Sequence, residues 1–95
     1  MSGRALMFAP PETLYRIYYE CFEVGNPELR EIFGGRAGKS KLWQIKKDVK
    51  KLMVEKEIMP IFASNVNTKV LYEYLGLDID DIERRVKKLR KFATG

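Results

Sequence analysis

Lys39, Ser40, Lys41, Gln44, Lys47 and Lys51 are the residues whose types and spacing point to chemistry, and that chemistry is non-covalent. Ammonium and hydroxyl groups donate hydrogen bonds to phosphate oxygens or to guanine, and a carboxamide can pair bidentately with adenine. All six lie in one stretch, Gly34 to Lys56 (GGRAGKSKLWQIKKDVKKLMVEK), with Arg36 in its opening turn and Trp43 beside the polar residues. Bond-making chemistry has less to work with. There is no histidine and a single cysteine, Cys21, so the commonest general base is missing, a zinc site lacks ligands and no internal disulfide can form. No carboxylate pair has a reason to be buried together. The expectation is a binding protein with no metal and no cofactor, not an enzyme.

The element that must position these side chains is a long amphipathic helix. Leu42, Ile45, Val49, Leu52 and Met53 recur at three- and four-residue steps and define an apolar stripe. Lys41, Gln44, Lys46, Lys47, Lys50 and Lys51 are then expected to face outward, Ser40 to act as N-cap, and the helix to run to about Glu57. Such a helix suits a nucleic-acid surface, although a merely solvated lysine face has the same pattern. Trp43 is either an anchor at the edge of the core or a base contact.

Charge is arranged in blocks. Residues 36–56 hold Arg36 and Lys39, Lys41, Lys46, Lys47, Lys50, Lys51 and Lys56 against Asp48 and Glu55, a net of +6. Residues 84–95 hold Arg84, Arg85, Lys87, Lys88, Arg90 and Lys91 with no acid, again +6. Between them, residues 57–83 carry −5, and residues 1–35 carry −2. Two basic blocks around an acidic one imply a polyanion partner, with Arg84, Lys88 and Lys91 as further contacts; they also suit pairing between helices or subunits, the last block equally well. Abundant Lys and Glu, one Gln and no His fit a thermophilic source.

Ninety-five residues with 45% apolar content make one domain with one small core. No apolar run approaches a membrane span, and the N-terminal residues lack the apolar region of a secretory signal, so a cytoplasmic protein is expected. Residues 1–9 read as a flexible arm and 10–95 as a single helical nucleic-acid-binding domain. Helix one is expected over Glu12–Val24, with Leu14, Ile17, Tyr18, Cys21 and Val24 on one face and Tyr15, Tyr19 and Phe22 widening it as core or interface; Gly25 would end it. Asn26-Pro27 opens a short second helix that stops at Gly34-Gly35. The segment 58–64 should be extended ahead of and after Pro60. Residues 65–75 read as a helix capped by Asn65 or Asn67 and ended by Gly76, or as half of a hairpin wing within 58–75. The last helix has Asp78 as N-cap, Asp81 as a capping-box variant, and Ile82, Val86 and Leu89 as its buried edge. GRAGKS fails as a phosphate loop, because Phe33 stands where that motif needs its first glycine and no strand precedes it.

Two segments resemble the helix-turn-helix and winged-helix superfamily of DNA-binding proteins. Pro27 to Ile58 resembles helix two, turn and recognition helix, and covers about a third of the chain; its turn is longer than the superfamily's. Leu71 to Leu89 (LYEYLGLDIDDIERRVKKL) is similar to the same motif over about a fifth, but its second helix opens with Asp78, Asp80, Asp81 and Glu83, which phosphates would repel. The first resemblance implies a mainly α fold of four or five helices and contact with duplex DNA through the basic helix at 40–57, as in a small transcriptional regulator or chromosome-associated factor. The alternatives are a helical protein-interaction subunit of a larger nucleoprotein complex and a binder of RNA or single strands. A homodimer through helix one or the C-terminal helix is compatible with each.

Overall fold

The computed structural model describes residues 8–94, and side chains as far as Lys91. It is mainly α: five helices and a two-stranded antiparallel sheet. Helix α1 spans Pro11–Glu20, β1 Glu23–Val24, α2 Asn26–Ile32, α3 Lys39–Glu55, β2 Val66–Asn67, α4 Thr68–Leu75 and α5 Ile79–Thr94. Of the arm expected over residues 1–9, residues 1–7 lie outside the described part. Phe8 and Ala9 are docked, not loose: Ala9 N–H donates to the Ile32 carbonyl at 2.7 Å, and Phe8 stacks on Phe33 at 5.5 Å.

Helix α1 begins where Pro11, which has no N–H to leave unsatisfied, occupies the first turn. It stops four residues before the expected Val24. Tertiary contacts take over there: the Cys21 carbonyl accepts from the Thr68 hydroxyl at 2.6 Å, and the Phe22 carbonyl accepts from Thr68 N–H at 3.0 Å. Val24 then pairs with Val66, and Glu23 with Asn67. Val24 is buried as its periodicity implied, but in a strand. Tyr19 and Phe22 are exposed, so neither joins the core.

Helix α2 starts one residue earlier than a cap at Asn26 would allow. Its flanking residue is Gly25, whose N–H donates to the Glu28 carboxylate at 2.9 Å. The helix ends in a Schellman arrangement: Gly34 N–H reaches the Glu31 carbonyl and Gly35 N–H the Arg30 carbonyl, both at 2.9 Å. Positive φ values at Gly34 and Gly35 make glycine the natural occupant of both positions.

Helix α3 is the longest element, 17 residues and roughly 25 Å. Leu42, Ile45, Val49 and Met53 of the expected stripe are buried, and Leu52 is half-buried. The cap expected at Ser40 is at Gly38 instead, and no side chain caps the start. Ala37 is buried just upstream, so the chain is already packed when it enters the helix and begins to coil two residues early. The other end closes with Glu57 at φ 59°, its N–H on the Val54 carbonyl and Ile58 N–H on the Met53 carbonyl.

Residues 58–65 form an irregular loop and no hairpin wing; β2 pairs with β1 rather than with this loop. Helix α4 follows, with the Asn67 carboxamide accepting from Val70 N–H at 3.0 Å and Gly76 ending it at φ 75°. Asp78 caps α5 by accepting from Asp80 N–H at 3.0 Å. Asp81 does not complete a capping box; its carboxylate turns forward to Arg84 and Arg85. Ile82 and Val86 are buried, whereas Leu89 is 46% exposed and lies outside the buried edge.

The core joins α1, α2, α3, α4 and the sheet, with α5 laid on α1 and α3 packed on α4 and β2. Tyr72 ties two of these helices: it is 1% exposed, and its hydroxyl donates to the Leu14 carbonyl at 2.6 Å. With α3 held by its apolar stripe, its opposite side is left to solvent.

Candidate nucleic-acid interface

The outer side of α3 carries Ser40, Gln44, Lys47 and Lys51 at steps of four, three and four residues, in one row along the helix. All four are exposed, as are Lys39 and Lys41 beside them and Arg36 in the preceding turn. Among the described residues, Arg36, Lys39, Lys41, Lys47 and Lys51 enter no ion pair. Their charges are therefore uncompensated by contact, although Asp48 lies near Lys47 and Lys51.

Two of the lysines expected to face outward, Lys46 and Lys50, do something else, as does Lys56 just beyond the helix. Lys46 is half-buried and donates to the Asn26 carboxamide at 3.1 Å; burial, with Lys50 nearby, pushes its pKa down. Lys50, also half-buried, donates to the Ala63 carbonyl at 2.6 Å and pins the irregular loop. Lys56 pairs with Glu73 of α4 at 3.1 Å. Long flexible side chains at the edge of an apolar stripe cover it and tie neighbouring elements.

Asp48 enters the charge count of the block, but its partners are not read from that count. It accepts from the Gln44 carboxamide nitrogen at 2.9 Å and from the Tyr74 hydroxyl at 2.7 Å. The Tyr74 hydrogen bond is the chief reason its carboxyl lies below the usual range, helped by Gln44, Lys51 and Lys47 and opposed by partial burial. One donor hydrogen of Gln44 is thereby engaged, so presenting the carboxamide to an adenine edge means sharing or releasing Asp48. The i,i+4 spacing of Gln44 and Asp48 was a readable signal; the arrival of Tyr74 from α4 was not.

Trp43 is not a core anchor. It is 62% exposed, and Lys47 Nζ lies 5.0 Å from its ring centroid, within cation–π range. On one side the indole borders a concavity of about 270 Å³ lined also by Asn26, Arg30, Lys39, Leu42 and Lys46. A second, more open one of about 460 Å³ is lined by Trp43 with Lys39, Ser40 and Gln44.

Arg84, Lys88 and Lys91 belong to a separate basic trough on α5, whose principal packing is on α1. Much of its charge is compensated within the helix: Arg85 pairs with Asp81 at 2.9 Å, Arg84 with the same carboxylate at 3.4 Å, and Lys87 with Glu83 at 3.4 Å. The structure thus brings Arg36, Lys39, Ser40, Lys41, Trp43, Gln44, Lys47 and Lys51 onto one element and its turn, and leaves the α5 residues apart from them.

Among the described residues there is no group of three or more His, Cys, Asp or Glu placed to hold a metal ion, and no helix is long and apolar enough to cross a membrane. The Cys21 thiol is half-buried, and burial is the chief cause of its raised pKa. GRAGKS follows a helix, not a strand. Compared with family models, curated proteins and solved structures, the chain gives no match.

Proposed function

We propose that this is a DNA-binding protein, not an enzyme, which lays the outer face of α3 against duplex DNA. On this reading α2, the glycine turn and α3 act as a helix-turn-helix pair with α3 as the recognition helix. The observation that carries it is the contrast between the two basic blocks. On α3, Lys39, Lys41, Lys47 and Lys51 have no carboxylate partner among the described residues, whereas α5 pairs several of its cations with its own acids. Lysines left without ion pairs along one helix face keep their attraction for phosphates. The role is that of a small transcriptional regulator or chromosome-associated factor.

The test is a duplex titration across salt. Four lysine–phosphate contacts give a log–log slope of about −3.6, so affinity falls about a hundredfold between about 50 and about 200 mM salt. The triple variant Lys41→Ala, Lys47→Ala, Lys51→Ala should reduce the slope by about 3 and weaken binding to all sequences alike. A flat salt response, absence of binding at low salt, or a triple variant with unchanged slope refutes the proposal.

One observation favours a second reading, a protein-interaction subunit of a nucleoprotein assembly. Phe22, Met59, Ile61 and Phe62 are exposed, and the loop bearing the last three is fastened to β1 by Glu23, which accepts from Ile61 N–H and Phe62 N–H. Weak DNA binding that the triple variant does not change would favour it.

A further inference from the structure

The concavity beside Trp43 combines features with opposite preferences for a partner. An indole left largely in water favours a flat apolar surface. Around it stand Arg30, Lys39 and Lys46, and Lys47 lies over the ring. Lysine is depleted at protein–protein interfaces, because burying an ammonium without a partner is costly. Here Arg30 and Lys39 enter no ion pair among the described residues. Lys46 donates to the Asn26 carboxamide at 3.1 Å, a link from α3 to α2 between two residues that line the concavity. A partner that satisfies both sets of groups has flat rings joined by anionic links, which is the chemistry of a nucleic-acid strand. The volume, about 270 Å³, lies near the lower limit of roughly 300 Å³ for small-molecule sites and suits one ring system.

A base inside a duplex has both faces covered by its neighbours, so it cannot stack on a side chain unless it is released from the helix. We propose that this concavity takes one unpaired nucleotide of DNA, its base stacked on Trp43 and its flanking phosphates held by Arg30 and Lys39. With Lys47 over one face of the indole, the base uses the other. Lys39 lines this concavity and also belongs to the exposed basic face of α3. The preferred ligand is accordingly a duplex with a single-stranded end, the duplex on the lysine row and the first unpaired base in the concavity. This inference rests on the duplex-binding reading of α3.

Trp43 is the only tryptophan in the chain, so fluorescence reports this site alone. The probes are a blunt duplex, the same duplex with a short single-stranded overhang, and the single strand. The overhang should quench Trp43 and bind about tenfold tighter than the blunt form, within the range that stacking one base contributes. Trp43→Ala should bring the affinity ratio to about one, and Trp43→Phe should keep part of it. Arg30→Ala should lower the ratio while circular dichroism stays unchanged. Equal affinity and equal quenching for blunt and overhanging duplexes overturn the inference but leave duplex binding standing. Trp43-dependent binding of single strand with no binding of blunt duplex supports the base site and refutes the duplex reading. Failure of all three probes at low salt refutes both.

Discussion

A carboxylate inside a cationic face limits how strongly that face can attract. Asp48 is held by Tyr74 and Gln44, and its negative charge sits beside Lys47 and Lys51. Asp48→Asn keeps an acceptor for the Tyr74 hydroxyl while removing the charge. Duplex affinity at low salt should rise about fivefold, the scale of one charge interaction at about 4 Å fully exposed to water, about 1 kcal/mol. Stability should move the other way. Because the folded carboxyl lies below its unfolded value, ionised Asp48 stabilises the fold above the ordinary Asp pKa near 3.9, and that contribution is lost as pH falls through the folded value. The variant should melt below the parent at neutral pH, and the gap should close in acid. Tyr72 behaves inversely. Burial raises its phenol pKa, so the fold favours the protonated form and loses stability as pH rises past about 10, the ordinary tyrosine value. Tyr72→Phe should cost about 1 kcal/mol at pH 7, through the lost bond to Leu14, and should blunt the alkaline decline in a melting series.

Glycine located the stops of α2 and α4 but misplaced that of α1, which ends at Glu20 and not at Gly25. Gly34, Gly35 and Gly76 stand at positive φ at or just beyond the ends of α2 and α4, because a residue without Cβ adopts that geometry at little cost. Glu57 has no such freedom. It closes α3 in the left-handed region and disobeys the composition rule that located the ends of α2 and α4. Glu57→Gly should relieve backbone strain of about 1 kcal/mol, offset in part by the freer unfolded chain, and should raise the thermal midpoint by a few degrees. The two strands were not legible at all. Two-residue strands have no period to detect, and residues 21–24 continue the apolar spacing of α1. What turns Cys21 to Val24 out of the helix is Thr68 and Val66, supplied from the far side of the chain. The apolar stripe of α3 was legible because four of its five positions are buried as the 3.6-residue period requires.

At the scale of the molecule, net charge is a poor guide to where a polyanion would sit. Both basic blocks carry +6 in the sequence, yet they differ once folded, because Asp81 and Glu83 lie one turn from Arg84, Arg85 and Lys87. The α3 lysines share their helix with Asp48 and Glu55; Tyr74 and Gln44 hold the oxygens of Asp48, and Glu55 enters no ion pair among the described residues. The basic helix could be located from sequence; the division of its lysines into tethers and open cations could not, since it depends on Asn26, Ala63 and Glu73 arriving from elsewhere.

The pairing of Glu23–Val24 with Val66–Asn67 also has a bearing on how the chain folds. It draws together points more than about forty residues apart and encloses α2, α3 and the irregular loop between them. Closing so wide a ring is entropically unfavourable before its two rungs can offset anything. The helices inside it must supply the compactness that lets those rungs meet, so the smallest element of the architecture is a late clasp on a lobe whose shape is already decided.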